Sequence, residues 1–465
     1  MQEFLLLFSK RSASLRPVLN DSPRQVAGDR TASPVTALPN VNSANAATCC
    51  IAAAATGGVI LRPFRLPEAV WAVAGAALLV ALGLLPARDA LRGAARGTDV
   101  YLFLAGMMLL AELARQQGLF DWLAAHAAGH ARGSATRLFT LIYLVGTVVT
   151  VFLSNDATAV VLTPAVAAVA RAAQADQPLP FLLICAFIAN AASFVLPISN
   201  PANLVIYGSH MPPLLQWLPR YALPSLLAIA STYAVLRLTQ RSALRQPIAA
   251  RIDAPDLRIG GKVAACGIVV TAIVLLTASF LGRPLGLPTC VAGAATMLCV
   301  LLATRSEPWP VLRGISWGVL PLVAGLFVLV QALENTGLIG ALATQLQDHA
   351  RRSASTTAWS AGTLLAVACN LMNNLPAGLI VGTAVQSAHV PREVTGAVLI
   401  GVDLGPNLSV TGSLATILWL TALRRDGHVV SAWAYLKLGL LVMPAALLLA
   451  LAGLLLPGII PIARF

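Results

Sequence analysis

Apolar runs of seventeen or more residues recur along the whole chain, and no feature limits its fold more. A run of that length matches the hydrocarbon thickness of a bilayer when wound as a helix. Several of them in one chain predict a polytopic, all-α membrane protein. A membrane β-barrel would need alternating segments of about ten residues, and none is visible. Composition agrees: 58% of the 465 residues are hydrophobic and only 11% charged, less than half the ~25% of a soluble domain.

The apolar stretches are not uniform. Leu153-Ser154-Asn155-Asp156-Ala157-Thr158 interrupts the run from Phe139 to Ala170. A carboxylate at bilayer depth costs at least ~2.5 kcal/mol on insertion scales, so it points to function. Asn373-Asn374-Leu375-Pro376 interrupts a second run in the same way, with Asn374 lying 219 residues after Asn155. Two further breaks are Ser199-Asn200-Pro201-Ala202-Asn203 and the stretch from Asp403 to Thr416.

These breaks belong to an internal repeat. Arg62-Pro63-Phe64-Arg65-Leu66-Pro67 returns at an offset of 221 as Arg283-Pro284-Leu285-Gly286-Leu287-Pro288. Ala105-Gly106, Gly118-Leu119 and Leu123-Ala124 return at an offset of 219 as Ala324-Gly325, Gly337-Leu338 and Leu342-Ala343. Chance could supply one such match among Ala/Leu/Gly-rich helices, but not several in order at a nearly constant offset.

The expected division is a disordered extension over 1–44, a first repeat over 45–237, a cytoplasmic linker over 238–262 and a second repeat over 263–465. Each repeat would hold five transmembrane helices plus one interrupted segment. If that segment is a re-entrant hairpin, the span number is odd and the repeats are inverted, with broken helices meeting near the bilayer midplane. Charge supports this topology. With the linker inside, the cytoplasmic segments carry 17 Lys or Arg and the external ones 9, while the five cations of the tail fall outside. The net charge of +13 is therefore a positive-inside signature, not a nucleic-acid surface.

Four breaks rich in Ser, Thr, Asn, Gly and Pro would form one cavity, because freed backbone groups at this depth need partners or water. Asp156 and Asp403 are the candidate proton-coupling residues. Asn155, Thr158, Asn200, Asn203, Asn373, Asn374, Asn407, Thr411, Ser413 and Thr416 are the candidate substrate contacts. No Lys or Arg falls at the expected midplane, so the site suits a neutral polyhydroxy solute better than a di- or tricarboxylate. Glu112 and Arg115 are spaced to pair on one helix face, and Glu334 lies near the end of the equivalent helix. His126 and His130 read as loop histidines. The seven cysteines lack metal spacing and read as buried small hydrophobes. Nothing calls for a cofactor or a metal, no phosphate-binding loop occurs, and no nucleophile–base arrangement marks an enzyme.

At these residues the chain resembles the arsenite and antimonite efflux permease family, the membrane subunit of arsenical pumps, within the ion transporter superfamily. The resemblance runs from about Ala46 onward. It rests most on Ile400-Gly401-Val402-Asp403-Leu404-Gly405-Pro406 with Gly412-Ser413-Leu414-Ala415-Thr416, on Asn155-Asp156 followed by Leu162-Thr163-Pro164, and on Met372-Asn373-Asn374-Leu375-Pro376. It implies a multi-pass protein of the cell's inner membrane that exports arsenite or antimonite, as the neutral trivalent hydroxide, in exchange for protons. It also implies a homodimer, and for some members a soluble ATPase subunit. The chain departs from the family pattern in three places. Asn190 stands where an acidic residue is usual, Asn407 where Lys is usual, and Val410-Thr411 where Pro-Ile is usual. A sodium- or proton-coupled anion carrier, a sodium/proton antiporter of the same superfamily, and a pump subunit energised by a separate ATPase are the alternatives.

Overall fold

The computed structural model describes residues 42–249 and 256–456. Most of the expected N-terminal extension, part of the linker including Arg251 and Asp253, and Arg464 lie outside the described residues. No β-strand occurs among the described residues; an isolated bridge joins Ser134 to Pro247.

Among the described residues, twenty α-helices, ten in each half, make up the fold. The first half holds α1 (Ser43–Leu61), α2 (Glu68–Ala81), α3 (Ala87–Arg96), α4 (Thr98–Gln116), α5 (Leu119–Ala131), α6 (Ala135–Phe152), α7 (Ala157–Ala172), α8 (Leu179–Ala191), α9 (Pro201–Tyr207) and α10 (Leu214–Thr239). The second holds α11 (Ile259–Phe280), α12 (Gly286–Thr304), α13 (Trp309–Gly314), α14 (Val319–Asn335), α15 (Leu338–Arg352), α16 (Ala354–Met372), α17 (Asn374–Ala388), α18 (Arg392–Leu404), α19 (Leu414–Arg425) and α20 (Ala432–Leu455). Helix n of the first half corresponds in order to helix n + 10 of the second. Among the described residues six helices are long and apolar enough to cross a membrane, or eight if two bent pairs count as spans.

The halves pack by exchange. Helix α4 packs against α12, and its counterpart α14 packs against α2. Likewise α9 packs on α17 while α7 packs on α19, and α10 lies directly on α20. Small residues permit the closest of these approaches, as expected where helices associate without a hydrophobic driving force. A Cβ built on Gly293 would stand 2.8 Å from the Gly106 carbonyl oxygen. At the counterpart of Gly106, a Cβ on Gly325 would stand 2.7 Å from the Ala72 carbonyl carbon.

The four sequence breaks are helix breaks. α6 stops at Phe152, and α7 opens as a π-helical stretch, Ala157–Leu162, before Pro164, whose missing N–H prevents a regular ladder there. α16 stops at Met372, and Asn373, at φ 70° and ψ 152°, turns the chain into α17. That conformation is nearly glycine-only and costs of order 1–3 kcal/mol in another residue. α8 and α9 are separated by residues 192–200, and α18 and α19 by a 3₁₀ turn (Gly405–Asn407) and residues 408–413.

Two expectations are corrected. His126 and His130 sit on α5 rather than in a loop; the His126 ring lies 4.1 Å from the Trp122 ring, centroid to centroid. α5 and its counterpart α15, 13 and 15 residues long, are too short to cross a membrane alone, yet each packs on both arms beside it, α6 with α7 and α16 with α17. Of the cysteines, only Cys185 and Cys369 are buried; Cys50, Cys266 and Cys299 are exposed on apolar helices. Their thiols suit a lipid-facing surface as well as a protein core.

Candidate functional site

Each break ends in a polar side chain that caps the half-helix following it. Ser154 Oγ accepts from Ala157 N (3.1 Å), Asn200 Oδ1 from Ala202 N (3.0 Å), Asn373 Oδ1 from Leu375 N (3.3 Å), and Ser413 Oγ from Thr416 N (3.1 Å). Helix starts leave N–H groups without partners, and these residue types satisfy them. Each tip is then stitched to the broken helix of its own half. Asn155 N donates to Ser199 O at 3.2 Å, and Asn374 N donates to Gly412 O at 2.9 Å. The two bonds occupy corresponding positions in the halves.

Residues from all four breaks line one cavity of about 20 Å³, room for a single small species. Its polar walls are Asn155, Asp156, Asn200, Asn374 and Ser413; Leu104, Val319, Leu375 and Leu414 contribute apolar surface. Asp156 is the ionisable side chain on its wall. The starts of α7, α9, α17 and α19 converge here, so partial positive charge surrounds the cavity without a Lys or Arg.

Asp156 also lines a second, open space of about 600 Å³. This vestibule holds Glu112, Arg115, Ser316, Thr421, Arg425 and Asp426 among its walls. Glu112 is buried and accepts from Arg115 (Nε 2.7 Å, Nη2 2.5 Å) and from Gln116 Nε2 (2.7 Å), which realises the expected pair. A counterpart vestibule of about 560 Å³ includes Arg96, Asp99, Ser209, Arg283, Gln331 and Glu334. There Arg96 Nη1 donates to Glu334 Oε2 at 2.5 Å. No tip residue lines this second vestibule, so the central cavity opens toward the first.

Deeper than the cavity, two bonds cross between the halves. Asn200 Nδ2 donates to Asp403 Oδ1 at 2.8 Å, while Asp403 Oδ2 is buried without a hydrogen-bond partner among the described residues. Asn190 Nδ2 donates to Asn407 Oδ1 at 2.9 Å, and Asn407 Nδ2 donates to Phe187 O at 3.1 Å. Two of the three positions that depart from the family pattern are thus bonded to each other.

The remaining candidates lie behind the cavity wall. Thr158 shares a hydrogen bond with Thr150 (2.8 Å), Asn203 Nδ2 donates to Ser193 O (3.0 Å), Thr411 Oγ1 donates to Asn370 O (2.9 Å), and Thr416 shares one with Ser413 (2.9 Å). Asn373 lines a small adjoining cavity with Arg62 and Glu68, which form an ion pair there.

Three residues in this arrangement escape a sequence reading. Asn370 holds the break between α18 and α19 through Ser409 N (3.0 Å) and Gly405 O (2.9 Å), but it sits inside a regular helix. Thr150 is similarly hidden within α6. Arg62 reads as a loop cation until the fold brings it beside Asn373. Among the described residues no group of three or more His, Cys, Asp or Glu could hold a metal ion.

The profile of the CitMHS family, described as citrate transporter, matches residues 56–401. The arsenical pump membrane protein of Yersinia enterocolitica is 29% identical over 377 residues, 75% of this chain and 84% of that protein. That of Escherichia coli is 28% identical over the same length and coverage. An uncharacterized transporter of Mycobacterium tuberculosis is 27% identical over 420 residues, 84% of this chain and 94% of its own. In fold, the chain is similar to the Alcanivorax borkumensis YdaH transporter, whose crystal structure has an unusual topology. The TM-score is 0.53 at 16% identity, covering 81% of this chain and 89% of that one. A multi-pass helical fold and bacterial membrane relatives fit the expected location in the cell's inner membrane. The protein is a membrane transporter of the ion-transporter type, and the chain belongs to the CitMHS citrate transporter family.

Proposed function

We propose that this transporter exports arsenite or antimonite, as the neutral trivalent hydroxide, in exchange for protons. One observation carries the reading: Asp156 faces both the central cavity and the open vestibule. A carboxyl group so placed can take up a proton from the vestibule and, in exchange, let go of a neutral solute hydrogen-bonded to its ionised form. In this reading Asn155, Asn200, Asn374 and Ser413 contact the solute, and Asp403 is a second proton acceptor. Thr158, Asn203, Asn373, Asn407, Thr411 and Thr416 keep the breaks in shape. Amides, hydroxyls and helix starts suit a small neutral hydroxide, whereas a citrate trianion would meet Asp156 with no cation on the cavity wall. The exchanged packing of α4 and α14 supports two inverted repeats over 45–237 and 263–465. The homodimer rests on the family resemblance and belongs to the same proposal.

A coupled anion carrier is the second reading. Arg62 favours it: parting from Glu68, its guanidinium would place a cation beside Asn373.

Inside-out vesicles carrying the protein separate the two. Arsenite and citrate uptake would be measured with and without an imposed proton gradient, without ATP and without sodium. Gradient-driven arsenite accumulation supports the first reading. Citrate uptake alone moves the assignment to the second. Arsenite uptake that needs ATP and a partner protein would replace exchange with a pump-subunit role.

A further inference from the structure

Beside the counterpart vestibule, a cavity of about 380 Å³ lies between the loop and helix around residues 206–220 and the α17–α18 corner around residues 385–395. Its nitrogen-bearing charged or chargeable side chains are His210, Arg220, His389 and Arg392, and no carboxylate lines it. Among the described residues, neither arginine has a carboxylate within 4.0 Å. The Arg220 guanidinium makes one long bond, from Nη1 to Tyr207 Oη at 3.4 Å, so most of its donors point elsewhere. α18 contributes its first turn: Thr395 lines the cavity, the Pro391 carbonyl accepts from Val394 N (3.0 Å) and Thr395 N (3.3 Å), no side chain caps the start, and Glu393 stands in the same turn without lining the cavity.

Two guanidinium forks without a carboxylate partner give the cavity an excess of donors; the rings of His389 and His210 already have partners in Ser387 O (3.0 Å) and Ser209 Oγ (3.4 Å), so each offers its remaining nitrogen. Phosphate oxygens meet that excess by paired, charge-assisted N–H···O bonds from Arg. We propose that this cavity is a phosphate-binding site, separate from the transport cavity. It is held by His210 and Arg220 of the first half and His389 and Arg392 of the second. A bound phosphate group would bridge the halves and so stabilise their packing. Met211 and Gln386 line both this cavity and the neighbouring vestibule, so the ligand sits beside one mouth of the path. α10 also exposes Leu215 and Leu218, apolar surface that suits a lipid environment and so a phospholipid head group; free phosphate has the same oxygen chemistry.

The test is thermal unfolding of the purified full chain with two probes. Inorganic phosphate would be titrated in a zwitterionic detergent against chloride at equal ionic strength. In parallel, nanodiscs of phosphatidylglycerol with phosphatidylcholine would be compared with phosphatidylcholine alone. A rise in melting temperature in the first arm identifies a free oxyanion site, and a rise only in the second identifies a lipid site. The R220Q/R392Q variant is expected to bind about tenfold more weakly, the loss of charge-assisted bonds. Should that variant fail to fold, H210Q/H389Q, altered at two exposed positions, is expected to weaken binding about threefold. No shift with either probe, or unchanged half-saturation in the folded variants, would overturn the proposal.

Discussion

Asn190 donates its side-chain N–H to the side-chain oxygen of Asn407 at 2.9 Å, deep in the protein and across the two halves of the chain. The family pattern has an acidic residue at the first position and Lys at the second, a pair that is also neutral in sum. An amide pair in its place keeps the bond and removes two buried charges. Buried ion pairs are often replaceable in this way with little loss of stability.

Restoring the charges should therefore work only in combination. Asn190→Asp or Asn407→Lys alone leaves one buried charge without a partner and is expected to cost about 3–5 kcal/mol. The double variant should recover most of that. Chemical denaturation of the four proteins in detergent, read as a double-mutant cycle, measures the coupling directly. Additive single effects would show that the two side chains do not depend on each other.

Asp403 has one oxygen bonded to Asn200 and one buried without a partner. Asp403→Asn keeps an oxygen for Asn200 and replaces the lone acceptor with a donor, removing a carboxyl group from a low-dielectric site. Stability is expected to hold or rise by about 1 kcal/mol while proton-coupled transport falls. Unfolding and transport would be measured on one preparation. A large loss of stability would mark Asp403 as structural.

The exchanged packing makes Gly106 and Gly325 counterparts. Gly106→Leu pushes a side chain into α12, and Gly325→Leu pushes one into α2. Each is expected to destabilise by about 1–3 kcal/mol, the usual effect of overpacking. Melting temperatures that fall for one and not the other would break the equivalence of the halves.

The proposed inverted arrangement would also set which face each vestibule opens to. With the seven native cysteines replaced, Thr421→Cys should react with a membrane-impermeant thiol reagent from the cytoplasmic side. Ser209→Cys should react from outside. Both labelling from one side would refute the topology.

The tips at Asn155 and Asn374 and both broken helices were legible in the sequence, because polar residues inside long apolar runs have no bland explanation. Helices α3, α5, α13 and α15 were not, since helices of 6 to 15 residues are too short to stand out in a hydropathy pattern. Thr411 shows a different limit. Its position in a break was readable, but its partner is the backbone of Asn370, which no local pattern points to. Arg62 shows the same for charge: a cation between two apolar runs reads as a loop residue, and only the tertiary fold brings it to Asn373.

The most direct test of the mechanism is Asp156→Asn in inside-out vesicles, with arsenite accumulation followed as the imposed pH difference is varied. The substitution keeps the side chain's size and its place on the cavity wall but removes the titrating group. The expected result is a folded protein whose arsenite movement no longer responds to the proton gradient. Accumulation that follows the gradient as steeply as in the unmodified protein would contradict a coupling role for Asp156.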